Sequence, residues 1–207
     1  MLDGRIKNLL IDFGGVLIDL DRRRCIEHFR RLGMTDVEGL LNDYRQEGFF
    51  QLHEKGLISD ANFRERIRQA IGHPVTDEAI DEAWNSFLDG IPAYKLDFLL
   101  ELRKDYTVCL LSNTNAIHWD YACTHDFAQG GGGRRVKDYF DRIYLSYQMK
   151  MAKPEPEIFQ AVLADAGLAP DETLFIDDAE ANCRTAQALG IHTYTPQAHE
   201  DWRHLFQ

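Results

Sequence analysis

Apolar residues in this chain follow two rhythms, short unbroken runs and helix-spaced stripes, and their order along the chain predicts an architecture. Ile6 to Ile11 is a short apolar run that reads as a buried strand with Asp12 at its tip. Asp21 is placed to cap a helix from Arg22 to Leu32, with Cys25, Ile26 and Phe29 on one face. Thr35 and Glu38 have capping-box spacing and predict a second helix running toward Gly48, with Gly48 to Ile58 as a helix end and a turn. Ser59 is expected to cap a helix to about Ile71, and Thr76 or Asp77 one to about Leu88. Residues 20–90 therefore form a wholly helical block.

Beyond Pro92, suited to the first turn of a helix, Leu96, Leu99, Leu100 and Arg103 keep helical spacing. Thr107 to Leu111 is a second strand ending at Ser112, followed by a helix around Ile117 to Cys123 and a glycine-rich break at Gly130 to Gly133. Strands at Arg142–Leu145, Thr173–Ile176 and His192–Tyr194 alternate with helices at Glu155–Ala166 and Ala179–Leu189, each closed by a glycine. Alternation of this kind predicts an α/β fold, a parallel sheet with helices on both faces. The helical block is inserted after the first strand.

Composition narrows the partners. The 207 residues carry a net charge of −11, which argues against nucleic acid or an acidic membrane surface. An anionic small substrate stays open, because a metal and local cations can reverse the sign inside a pocket. Cys25, Cys109, Cys123 and Cys183 are far apart with no CxxC spacing, so reduced thiols in the cytoplasm are expected rather than disulfides or a zinc site. No apolar stretch has the length of a membrane span, and the start shows no signal-peptide pattern. No feature of the sequence sets the oligomeric state.

Three expected strands end in a polar residue: Asp12, Ser112 and Asp177. In a parallel sheet the carboxyl ends share one edge, so these residues should converge. Lys153, just ahead of a helix, can reach the same edge. Carboxylates from Asp12, Asp177 and Asp178 make an oxygen-rich set suited to Mg²⁺ rather than zinc, and a lysine and a serine hydroxyl beside them suit a phosphoryl group. Singly, each has a plainer reading. Asp12 could form a turn before Gly14, Ser112 could cap the next helix, Lys153 could be a solvated lysine, and one of Asp177 and Asp178 could be a helix cap. Asp19 and Asp21 fit a turn and a cap better than a metal. His53 and Glu54 fit ordinary turn chemistry before Gly56, and His118 a partly buried histidine. Phe49, Phe50 and Trp84 fit the interior of the helical block.

The sequence resembles the haloacid dehalogenase (HAD) superfamily, whose four motifs occur here in order: Asp12-Phe13-Gly14-Gly15-Val16, Leu111-Ser112-Asn113-Thr114, Lys153-Pro154 and Asp177-Asp178. Each is weak alone, but together, in this order and each on its own strand or helix start, they are highly specific, and the similarity runs from Ile6 to about Tyr194. The resemblance implies a Rossmann-like core, residues 1–19 and 91–207, and an α-helical cap, residues 20–90. It implies a nucleophile at Asp12 and Mg²⁺ held by Asp12, the Gly14 carbonyl and one or both of Asp177 and Asp178. Ser112 and the Asn113 amide would hold phosphate oxygens while Lys153 neutralises charge. Within the superfamily the chain looks closest to bacterial phosphatases for α-D-glucose 1-phosphate, through Asp12 to Asp21, His53 to Ser59, and Ser112 to His118.

One position departs from the usual phosphatase pattern. A second aspartate normally stands two residues after the nucleophile as general acid and base, and here that position is Gly14. General acid–base help contributes about 10²- to 10⁴-fold. Either the leaving group is good enough to depart with little help, as a sugar 1-phosphate is, or a cap residue such as His53 or Glu54 supplies the proton. A phosphometabolite-binding protein with little turnover is the alternative. Metal-independent dehalogenation is the rival chemistry in the superfamily, and the Asp177-Asp178 pair argues against it.

Overall fold

The computed structural model describes residues 4–41, 46–129 and 133–207. Its five strands, β1 (Asn8–Ile11), β2 (Thr107–Ser112), β3 (Arg142–Leu145), β4 (Thr173–Ile176) and β5 (His192–Tyr194), form one parallel sheet in the order β3-β2-β1-β4-β5. The first strand in sequence is central, flanked by β2 and β4. Ile11 is in register with Leu110 on one side and Ile176 on the other.

Alternation along the buried strands divides their side chains between two cores. Leu9, Ile11, Val108, Leu110, Leu174 and Ile176 enter one apolar cluster, while Leu10, Cys109, Leu111 and Phe175 enter the other. The second face is covered by α9 (Pro156–Ala166) and α10 (Glu180–Ala188) through Ile158, Phe159, Val162, Cys183 and Ala186. The first face joins the helical insert, so one continuous apolar cluster runs from the sheet into residues 20–90. The sheet is buried on both sides, as parallel sheets are.

The insert contains α1 (Arg22–Arg31), α2 (Gly48–Glu54), α3 (Asp60–Ile71) and α4 (Asp77–Asn85), and α5 (Ala93–Leu102) follows its return. Asp21, Ser59 and Thr76 cap α1, α3 and α4 by accepting from Arg24, Asn62 and Ala79 backbone amides. The chain leaves and re-enters the core through two paired segments. Asp19 N–H donates to Gly90 O, Asp89 N–H to Asp19 O, and Asp21 N–H to Phe87 O.

The stretch after Thr35 departs from expectation. In place of a helix, Val37–Gly39 is a single tight turn, and residues 42–45 lie outside the described residues. Arg22 explains the stop: its guanidinium donates to the carbonyls of Glu38 and Leu41 at 2.8 Å each, supplying partners those groups would otherwise need along a helix. Conversely, Gly48–Glu54 is a helix and not the end of one. Burial favours it, because Phe50 and His53, one turn apart, both enter the insert core, where Phe50 meets Phe29, Phe63 and Trp84.

Other differences are smaller. Pro92 stands at the cap of α5, one place ahead of its first turn. Asn115 caps α6 (Ala116–Thr124), a task the sequence offered to Ser112. Short helices α7 (Asp126–Gln129) and α8 (Ser146–Met149) had no sequence signal, nor did a 3₁₀ turn at Trp202–Phe206. Trp202 is buried and donates to Val16 O at 3.3 Å, bracing the turn that follows β1. Gly130–Gly132 lie outside the described residues.

Candidate active site

Asp12 and Asp177 each follow the last residue of a strand, β1 and β4, and these strands are adjacent and parallel. Parallel neighbours lie about 4.8 Å apart, with in-register side chains pointing the same way. The two carboxylates are therefore close enough to share one cation. Lys153 Nζ provides it, 2.7 Å from Asp12 Oδ1 and 2.6 Å from Asp177 Oδ2, and also donates to Leu111 O at 2.9 Å. All three residues are buried.

Burial pushes the Asp12 carboxyl well above its ordinary range, and the nearby Asp177 and Asp178 charges add to this against the opposing Lys153 ammonium. Burial alone would lower Lys153, but Asp12 and Asp177 beside it hold the ammonium above its usual value. Asp12, Asp177 and Asp178 each present an oxygen within 4.8 Å of the others. Three carboxylates against one ammonium leave a formal charge of −2, and an all-oxygen donor set of that charge fits a hard divalent cation.

The two adjacent aspartates differ in surroundings. Asp177 is fully buried, with Oδ1 accepting from the Ala179 amide at 2.8 Å and both oxygens meeting Asn182 Nδ2 at 3.0 Å. Asp178 lines the cleft with Asp12. Its carboxylate rests against Gly15, whose φ is +71° and where a Cβ would come 2.0 Å from Asp178 Oδ2. Glycine is needed there twice over, for the left-handed turn and for the close approach of Asp178.

The second motif meets the third directly. Asn113 Nδ2 donates to Lys153 O and Lys153 N–H donates to Asn113 Oδ1, both at 2.9 Å. Asn113 thus ties the loop after β2 to the loop before α9, a side-chain task the sequence did not disclose. Ser112 and Asn113 line the same cleft as Asp12, Gly14 and Lys153.

From the insert, the adjacent residues His53 and Glu54 go opposite ways. His53 is buried, stacks on Phe63 at 4.2 Å between ring centres, and places Nε2 2.7 Å from Asp60 Oδ1; burial lowers its pKa. It does not line the cleft of Asp12. Glu54 does, and its carboxyl is pushed up to about 8 by desolvation, with Lys153 opposing. His118 also borders the cleft, but its Nε2 is 3.0 Å from Trp84 O, and burial lowers it to about 3. Asp19 lies away from the cleft and pairs with Lys95 at 3.6 Å and His199 at 3.3 Å.

Ser146 went unnoticed in the sequence. Its buried hydroxyl accepts from the Thr114 amide at 2.9 Å and lies 2.6 Å from Glu54 O, joining insert to core. A signal existed, since Ser146 follows the end of β3 just as Asp12 and Asp177 follow β1 and β4.

With this geometry in place, comparison with known proteins is decisive for the family. Residues 6–190 match the haloacid dehalogenase-like hydrolases. The chain belongs to that family. Over 198 residues it is 41% identical to a D-ribitol-5-phosphate phosphatase of Bacteroides thetaiotaomicron, covering 96% of this chain and 95% of that protein. A HAD family enzyme of the same organism, crystallised with magnesium and inorganic phosphate, superposes with a TM-score of 0.92 at 58% identity, covering 98% of this chain and 100% of that one. L-2-haloacid dehalogenase from Xanthobacter autotrophicus shares the fold of these HAD hydrolases with a TM-score of 0.62 at 18% identity, covering 95% of this chain and 79% of that one. The parallel Rossmann-like sheet expected from the sequence is thus the fold of this HAD hydrolase.

Proposed function

We propose that this HAD hydrolase is a Mg²⁺-dependent phosphatase for a small phosphorylated polyhydroxy metabolite, acting through an aspartyl-phosphate on Asp12. The observation that carries the reading is Asp12 on the cleft wall with Lys153 2.7 Å away and Asp178 beside it. A nucleophile for carbon needs no cluster of carboxylates. A nucleophile for phosphorus must meet an anion, and cations have to offset that repulsion.

Asp12 forms a bond to phosphorus while the bond to the leaving oxygen breaks; water then releases phosphate from Asp12. Ser112 and the Asn113 amide take phosphate oxygens, and Lys153 neutralises charge between nucleophile and phosphate. Asp12, the Gly14 carbonyl and Asp178 would hold Mg²⁺, which when bound screens the phosphate charge and aligns it with Asp12. Asp177 is assigned to positioning Lys153, because its oxygens are occupied by Lys153, Asn182 and the Ala179 amide. Residues 20–90 act as the cap, closing over the cleft and selecting the substrate.

The name of the D-ribitol-5-phosphate phosphatase supports a phosphorylated polyol or sugar. Hexose 1-phosphates belong in the same screen, and no helix among the described residues is long and apolar enough to cross a membrane. The four cysteines are free, in keeping with a cytoplasmic setting.

Phosphate release from p-nitrophenyl phosphate, D-ribitol 5-phosphate and hexose 1- and 6-phosphates, with Mg²⁺ and with EDTA, tests the reading. Wild type is expected to act on at least one metabolite ester with Mg²⁺ only, and Asp12→Asn to lose about 10³-fold or more while staying folded. Failure of wild type on every ester would favour a binding protein. Metal-independent halide release would restore the dehalogenase.

A further inference from the structure

We propose that Glu54 donates the proton to the leaving oxygen, the task for which Gly14 carries no side chain. The inference rests on the phosphatase reading above.

Position singles Glu54 out. Glu54, Asn113 and Lys153 are the residues shared by the cleft of Asp12 and a second cleft that adjoins it beside Pro154. Glu54 therefore borders whichever of the two clefts takes the leaving group. The other titratable groups on the cleft of Asp12 are committed elsewhere. Asp12 is the proposed nucleophile, Asp178 would hold Mg²⁺, Lys153 is held between Asp12 and Asp177, and His118 Nε2 is engaged with Trp84 O. At the usual location of the acid a Cβ on Gly14 would lie 3.2 Å from Leu20 Cδ1, so a side chain there would have to displace Leu20 slightly.

The backbone around Glu54 is held against the core. Ser146 Oγ lies 2.6 Å from Glu54 O, Lys150 Nζ donates to Gly56 O at 2.5 Å, and Lys55 pairs with Glu155. Gly56 passes so near α8 that a Cβ would sit 2.2 Å from Tyr147 O. A side chain carried on backbone anchored on both sides meets the positional demand on a general acid. Desolvation holds it protonated near neutral pH, with a pKa of about 8.

The proton balance closes. As the Asp12–phosphorus bond forms and the phosphorus–oxygen bond to the leaving group breaks, the Glu54 proton passes to that oxygen. The resulting Glu54 carboxylate then takes a proton from the water that attacks phosphorus, and Asp12 departs as a carboxylate.

The test is Glu54→Gln, which keeps the backbone carbonyl facing Ser146, assayed in single turnovers after circular dichroism shows the fold retained. Cleavage of an alkyl ester that wild type hydrolyses, D-ribitol 5-phosphate or a hexose 6-phosphate, is expected to fall about 100-fold or more. Cleavage of p-nitrophenyl phosphate, whose leaving group departs unprotonated, should stay within about 5-fold of wild type, since acid help matters least there. Equal losses on the two esters, or no loss on either, would overturn the assignment while leaving the phosphatase intact. Wild type inactive on alkyl esters but active on p-nitrophenyl phosphate would overturn it too. Wild type inactive on every ester would instead remove the reading beneath it.

Discussion

Asn113 grips the backbone of Lys153 from both sides, its amide nitrogen donating to Lys153 O and its amide oxygen accepting from Lys153 N–H, each at 2.9 Å. Lys153 is thus located by its main chain as well as by its two carboxylate partners. Asn113→Ala should leave two backbone groups without their partners and cost about 1–3 kcal/mol of stability. Lys153 would lose its setting, and kcat is expected to fall about 10- to 100-fold. Thermal unfolding read beside kcat checks both effects; an unchanged kcat would show that the carboxylates alone suffice.

Asp177 and Asp178 should separate cleanly by mutation. Asp177→Ala leaves Lys153 buried with one carboxylate and removes the partners of Asn182 and the Ala179 amide, so a loss of about 3–5 kcal/mol is expected. Asp178→Ala should preserve the melting temperature and weaken Mg²⁺ binding by about 10-fold or more. Calorimetric titration with Mg²⁺ distinguishes them, and the reverse pattern would exchange their roles.

Gly15→Ala tests the turn. A methyl group would lie 2.0 Å from Asp178 Oδ2 on a backbone with φ +71°. The left-handed conformation alone costs about 1–2 kcal/mol in an L-residue. Displacement of Asp178 should raise the Mg²⁺ concentration for half-maximal activity, which a metal titration of the phosphatase rate will show.

The pH profile follows from Glu54. Its raised pKa means that the protonated, donating form is present below about 8 and lost above it. The Lys153 charge opposes that shift, and a bound cation would draw the limb further down. Single-turnover cleavage of an alkyl ester should therefore fall as pH rises through the Glu54 pKa. Glu54→Gln should lack that limb. His118, lowered to about 3, stays neutral across the range and contributes no limb of its own.

Gly56→Ala addresses the clamp. The added methyl would meet Tyr147 O at 2.2 Å and must move the turn that carries Glu54. Alkyl-ester cleavage should fall more than p-nitrophenyl phosphate cleavage, echoing Glu54→Gln, whereas a shift in KM alone would point to substrate binding.

Much of the site was readable because short apolar runs end where strands end. Asp12, Ser112 and Asp177 announced themselves in that way, and motif order brought in Lys153. The helix at Gly48–Glu54 was misread because its stabilisation is tertiary: Phe50 packs on Phe29, Phe63 and Trp84, residues distant in sequence or on other helices. Ser146, Trp202 and the side-chain role of Asn113 escaped for a similar reason. Their partners, Glu54, Val16 and Lys153, stand 92, 186 and 40 positions away.

By itself the sequence determined the strand and helix alternation, the strand-tip residues and the glycine two places after Asp12. Those are local facts, written in spacing and residue type. Only the tertiary structure decided between His53 and Glu54. Neighbours on a helix point about 100° apart. The insert core takes His53 against Phe63 and Asp60, and that packing leaves Glu54 on the wall of the cleft.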